Sequence, residues 1–127
     1  MRTALISKVL TAPKFRYSQL IKAGSNYICS GMVALDNESG ELITGGAGEQ
    51  TRKIFENLAL LMSEFKLSLS DLVSVRIFTT EFDQFADINA AWEEVFTEDV
   101  VPPARSAVGV SALPLNALVE IEFSFFV

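Results

Sequence analysis

The 127-residue chain has no histidine and a single cysteine, Cys29. The first absence excludes imidazole-based general acid/base chemistry and, with only one thiol to add, leaves no ligand set for a structural or catalytic zinc. One cysteine also cannot close an intramolecular disulfide. No basic region followed by an apolar run opens the chain, so the expectation is a protein of a reducing cytoplasm. No uninterrupted apolar run approaches the ~20 residues of a membrane span. Positive charge is scarce as well. Ten Lys and Arg against sixteen Asp and Glu give a net charge of −6, which opposes binding to a phosphate backbone and makes nucleic acid an unexpected partner. Gly45, Gly46 and Gly48 lack a following Gly-Lys-Ser/Thr, so they predict a flexible connector rather than a phosphate loop.

What the chain does have is apolar content. Half of it is hydrophobic, enough for one compact domain over residues 1–127 with a substantial core. Arg2 to Ile6 reads as a short strand and Tyr27 to Leu35 as a longer buried one. Asp36-Asn37-Glu38-Ser39-Gly40 is dense in turn formers, so Glu41-Leu42-Ile43 is expected to return as a hairpin arm. Ile54, Leu58, Leu61, Met62 and Phe65 recur at helical spacing from Glu49 to about Phe65. Val73 to Thr79 is a β-branched strand. A second helix is expected from about Phe82 to Phe96, with Asp83 as a candidate N-cap and Pro102-Pro103 as its stop. Arg105 to Val110 and Ala117 to Val127 supply two more strands around a turn at Leu113-Pro114-Leu115-Asn116. This order predicts an α+β domain, a mixed β-sheet with two helices on one face.

Alternation along the last strand sends Val119, Ile121, Phe123 and Phe125 to the helix-covered core and Leu118, Glu120, Glu122, Ser124 and Phe126 to the other face. Nothing in the chain is left to cover that second face. With Phe78 it forms an apolar patch that predicts self-association through the sheet.

Several side chains have two readings. Arg105, next to a strand start, is either an ion-pair partner of Glu120 or Glu122 or a binder of a ligand carboxylate, for which its planar fork is suited. Glu120 reads alone as an outward residue of a strand. Tyr17 reads as a packed loop aromatic, Ser30-Gly31 as small residues at a bulge, and Asn89 as a helix-surface amide.

Pro103-Ala104-Arg105-Ser106, Leu118-Val119-Glu120-Ile121-Glu122, Tyr17-Ser18-Gln19 and Ser30-Gly31 occur in one order with Ala12-Pro13, Lys22-Ala23-Gly24, Glu56-Asn57-Leu58 and Leu113-Pro114. Together they resemble the RidA/YjgF family, also labelled endoribonuclease L-PSP, and the likeness runs nearly the length of the chain. The resemblance implies a chorismate-mutase-like homotrimer with sites at subunit interfaces. It also implies hydrolytic deamination of reactive enamines and imines, such as 2-aminoacrylate or 2-aminocrotonate, to 2-keto acids and ammonia. In this reading Arg105 holds the substrate carboxylate and Glu120 activates water. Tyr17, Ser30 and Gly31 line the pocket, and Asn89 is secondary. No cofactor and no metal are needed, because an imine is already electrophilic. The alternative is a regulatory protein that binds small carboxylates or keto acids without significant turnover. The chain departs from the family pattern at Phe15-Arg16 (often Gly-Pro), Met32 (Gln), Ala107 (Cys) and Gly109 (Glu), departures that bear on substrate preference more than on reaction type.

Overall fold

A computed structural model describes all 127 residues. Its sheet has six strands: β1 (Arg2–Leu5), β2 (Leu20–Ala23), β3 (Asn26–Met32), β4 (Leu72–Thr79), β5 (Ala104–Gly109) and β6 (Val119–Phe126), with α1 (Ala47–Phe65) and α2 (Phe85–Val95) between them. The spatial order is β1-β2-β3-β6-β4-β5. Only β4 and β5 run parallel, and α2 makes the crossover that a parallel pair requires. The strand latest in the chain therefore lies inside the sheet, bonded to β3 on one side and β4 on the other.

The expected class, a mixed sheet under two helices, is the one observed. Along β6 the alternation is complete. Val119, Ile121 and Phe123 are fully buried and Phe125 nearly so, whereas Glu120, Glu122 and Ser124 are half-buried and Phe126 is exposed. Above them α1 contributes Ile54, Phe55, Leu58 and Leu61, and α2 contributes Ile88 and Trp92, closed off by Phe96. The Phe55 ring meets Trp92, Phe96 and Phe123 edge-on at 6.0, 5.9 and 5.9 Å, the geometry that the aromatic quadrupole favours. Leu118, expected on the open face, instead packs against this core. It precedes β6 and is fixed by its N–H, which donates to the buried Gln50 side chain at 2.9 Å.

Other differences are local. β2 has no signal in the sequence, because four residues are too few to show a period. A two-residue turn with Gly24 at φ +60° joins it to β3, a conformation open to glycine at little cost. The expected strand to Leu35 stops at Met32, and the hairpin arm at Glu41 to Ile43 shrinks to one bridge between Leu35 and Leu42. The Asp36 carboxylate accepts from the Glu38 and Ser39 N–H groups, which closes the turn without a ladder. α1 begins at Ala47, so the expected glycine connector ends sooner. Gly46 is its N-cap, and the Glu49 carboxylate accepts the Gly46 N–H at 2.9 Å. Gly48 is buried where a Cβ would stand 3.2 Å from that of Asp87, so its smallness lets the helices approach. Asp83 does not cap α2. It lies in a 3₁₀ turn, Phe82–Gln84, and no side chain caps the helix.

Phe123, without exposed surface and edge-on to Phe55, is the point where sheet and helices are joined. Phe123→Ala should cost about 3–5 kcal/mol of unfolding free energy, measured by urea denaturation.

Candidate functional site

The register between β3 and β6 slips by one residue. Cys29 pairs with Phe123 and Met32 with Ile121, which leaves Ser30 and Gly31 together opposite Glu122. Two residues against one is a β-bulge, which bends the strand and re-aims its side chains. Here the bulge makes room for the Glu120 carboxyl. A Cβ on Gly31 would stand 2.8 Å from Glu120 Cδ and 2.9 Å from Oε2. Glycine at this position is thus a requirement of the glutamate's placement.

Glu120 opens into a cavity of about 550 Å³ that also reaches Cys29 and Asn57 of α1. Tyr17, Ser30, Gly31 and Glu120 all line it, as do Phe15, Met32, Pro114 and Leu115. Its outer wall is the segment from Leu10 to Gln19, held by polar contacts. Ser30 Oγ donates to Ser18 O at 2.6 Å and the Ser30 N–H to Gln19 O at 3.0 Å. Gln19 Nε2 donates to Thr11 O at 2.8 Å. Asn37 Oδ1 accepts the Thr11 N–H at 2.9 Å, and Asn37 Nδ2 donates to Asn57 Oδ1 at 2.8 Å. Asn57 is buried on α1 and donates in turn to Leu35 O at 2.9 Å. Because the Ser30 hydroxyl proton is used within the wall, this oxygen offers a ligand only an acceptor.

The Glu120 pKa lies above the ordinary 4.5, first because burial disfavours the charged carboxylate and second because Glu122 adds a like charge. Glu122 stands outside the cavity and pairs with Arg76 at 3.9 Å. Cys29 reaches the cavity floor but is only 3 % exposed, and burial pushes its thiol up to about 12, which removes it as a nucleophile.

Arg105 and Asn89 are elsewhere. In the parallel ladder Arg105 is the partner of Val75, a fully buried residue of the helix-facing side. Its guanidinium lies against α2, where Nη1 donates to Asn89 Oδ1 at 2.8 Å. Glu120 pairs with Phe78 on the opposite face. The chain's three ion pairs are Arg52–Glu94, Lys53–Glu56 and Arg76–Glu122, so the pairing of Arg105 with Glu120 or Glu122 considered above is not formed. One chain therefore holds two separate groupings: a cavity with a carboxylate and a hydroxyl, and an arginine with an amide.

Thr11, Asn37, Asn57 and Leu115 take part in building the cavity, and no pattern in the sequence singles them out. Their contacts join segments far apart in the chain, so no local spacing links them. The one available signal is an asparagine three positions after Ile54, on the buried side of a helix. Leu115 adopts φ +59°, an uncommon conformation for a residue with a side chain, which only the fold discloses.

The family model described as Endoribonuclease L-PSP matches residues 8–125. The chain belongs to the RidA/YjgF family. A RutC family protein of Pyrococcus abyssi is 39% identical over 106 residues, covering 84% of this chain and 82% of its own. A 2-iminobutanoate/2-iminopropanoate deaminase of Dermatophagoides farinae is 36% identical over 106 residues, 84% of this chain and 81% of that one. The crystal structure of the YjgF gene product of E. coli superposes with a TM-score of 0.89 at 28% identity, covering 98% of both chains. The RidA/YjgF fold thus extends through the cavity wall and both helices.

Two outcomes test the cavity. Gly31→Ala should leave unfolding within about 1–2 kcal/mol of wild type, because the atoms in its way end a flexible side chain, but it should displace the Glu120 carboxyl. A changed ¹³C shift and titration of that carboxyl would report the displacement. The raised Glu120 pKa also fixes a pH dependence. Between 4.5 and the raised value the folded chain binds more protons than the unfolded one, so Glu120 lowers stability as pH rises through that window. Glu120→Gln should therefore melt at a higher temperature than wild type near neutral pH, with the difference vanishing below pH 4.5.

Proposed function

We propose that this protein hydrolyses reactive 2-imino acids, formed from enamines such as 2-aminoacrylate and 2-aminocrotonate, to 2-keto acids and ammonia. The observation that carries the reading is the division of charge between two places in one chain. Glu120 sits in a cavity whose lining includes no arginine, the exposed Lys14 being its only cation, and Arg105 sits at the β5 edge without an anion. Assembly of copies unites them. The open sheet face carries exposed Ile28, Val108 and Phe126 beside half-buried Phe78, an apolar surface fit for contact between subunits. A homotrimer, in keeping with the family, brings Arg105 and Asn89 of one subunit to the cavity of the next.

In that shared site Arg105 takes the substrate carboxylate in its planar fork and fixes the imine carbon near Glu120. Tyr17 and the Ser30 oxygen border the substrate, Ser30 accepting from the imine N–H. Glu120 removes a proton from water as the oxygen adds to the imine carbon and passes it to the imine nitrogen, giving a neutral carbinolamine. It then takes the carbinolamine hydroxyl proton and delivers it to nitrogen as the C–N bond breaks and the keto C=O bond forms. Water and imine are consumed; the 2-keto acid and ammonia are released. A carboxyl with a raised pKa suits both halves of this transfer, since it holds a proton more readily than a solvated glutamate. No cofactor or metal is called upon. The role is removal of damaging intermediates in the cytoplasm, without nucleic acid as partner: the net charge of −6 and the lack of histidine stand against RNA cleavage.

The test is accelerated loss of 2-aminoacrylate generated by a coupled serine dehydratase. Binding of keto acids without acceleration would replace the enzyme with a ligand-responsive regulator. Arg105→Ala and Arg105→Lys should each lose most activity, the fork being absent from lysine. Glu120→Gln should bind a keto acid yet turn over at least ~100-fold more slowly. Because the site is shared, refolding Arg105→Ala together with Glu120→Gln should restore about a quarter of the sites to wild-type composition. Light scattering on the same samples should give three chains per particle. Two inactive variants that stay inactive when mixed would place all the chemistry in one chain.

A further inference from the structure

Arg105 rests on an aromatic surface. Its guanidinium carbon lies 4.8 Å from the centre of the Trp92 ring and 5.4 Å from that of Phe85, while Nη1 donates to Asn89. Trp92 is the only tryptophan of the chain. It is itself fixed, 4.4 Å from Phe96 and edge-on to Phe55, and Phe85 stacks on Phe82 at 5.0 Å with ring planes 20° apart. All three residues that touch the guanidinium belong to α2, spaced about one helical turn apart, so they offer it a single continuous shelf. None is an anion. The arginine is held in place while its positive charge stays unneutralised.

We propose that Trp92 and Phe85 are positioning residues for Arg105: they hold the guanidinium flat, with its free N–H edge directed at an incoming carboxylate. The inference rests on Arg105 being the carboxylate binder, as argued above. Two physical facts support the role. An aromatic face attracts a cation without using its hydrogen-bond donors, which lie in the guanidinium plane and remain available to a ligand. A carboxylate partner would have consumed those donors. The shelf also limits the rotamers of a long side chain before the ligand arrives, so less freedom is lost on binding.

A residue that acts by orienting the carboxylate binder affects substrate binding more than turnover. Phe85→Leu and Trp92→Leu should each raise KM for the imino acid, and Kd for 2-oxobutanoate, about two- to fivefold, the range expected for loss of one exposed cation–π contact. Their kcat should stay within about twofold of wild type. Trp92→Phe, which keeps a ring, should recover most of the affinity. A second readout is independent of catalysis. In ¹⁵N relaxation measurements on the ligand-free protein, the Arg105 Nε–H group should be ordered in the wild type and mobile in both leucine variants.

If Trp92→Leu does not fold, Phe85→Leu decides, because Phe85 is only half-buried. Unchanged KM and Kd in Phe85→Leu, or an Arg105 side chain as ordered as in wild type, would overturn the proposal. The parent reading fails separately. If Arg105→Ala binds 2-oxobutanoate as well as wild type, the arginine is not the carboxylate binder. If Arg105→Ala loses binding and the shelf variants do not, the shelf alone is refuted.

Discussion

Burial of one face of β6 beneath two helices is the constraint on which the rest depends. Once Val119, Ile121, Phe123 and Phe125 are committed to the core, the period of a strand leaves no choice for Glu120, Glu122 and Ser124. They stand on the side that no helix covers. The parallel pairing of β5 with β4 makes the opposite assignment for Arg105. Two charged groups are thereby kept apart by the thickness of a sheet, and neither neutralises the other within a chain.

The bulge at Ser30 and Gly31 refines this arrangement. Without the extra residue, β3 would run straight past β6 and a side chain would fill the space where the Glu120 carboxyl lies. Half-burial in that space, beside Glu122, raises its proton affinity, while Glu122 pairs with Arg76 at 3.9 Å. Two glutamates only two positions apart in sequence thus acquire different surroundings: one within a cavity, one at an exposed ion pair. Surface pairs of the second kind add little stability.

Much of the layout is legible in the sequence because the signals are periodic. Ile54, Leu58 and Leu61 recur on one side of a helix, and Val119, Ile121 and Phe123 alternate along a strand. Both patterns name their buried face by residue spacing alone. The four residues of β2 are too short for a pattern, and the arm after Gly40 has strand-like composition but pairs with its neighbour through the single Leu35–Leu42 bridge. Asp83 satisfies the usual preference for a cap, yet a 3₁₀ turn intervenes. The candidate residues Tyr17, Ser30, Gly31 and Glu120 do meet around one cavity. That Arg105 faces the other way depends on which strand lies beside β5, a long-range fact of pairing with no local trace. The aromatic shelf is half visible: helical spacing places Phe85 and Trp92 inside, but their contact with Arg105 requires the crossover to be in place.

The position of β6 has one more consequence, for how the chain is made. β3 and β4 have no hydrogen bonds with each other and are joined only through Val119–Phe126. During synthesis both precede that segment, so from its own completion until β6 emerges each carries an unpaired inner edge. Such edges are the surfaces by which nascent chains stick to one another. Closure of the sheet must wait until those eight residues have left the ribosome, and until then the helices have only a divided platform to pack on. A ribosome that stalls shortly before Val119 would leave not a shortened version of this domain but two unconnected halves, a natural target for chaperones and proteases.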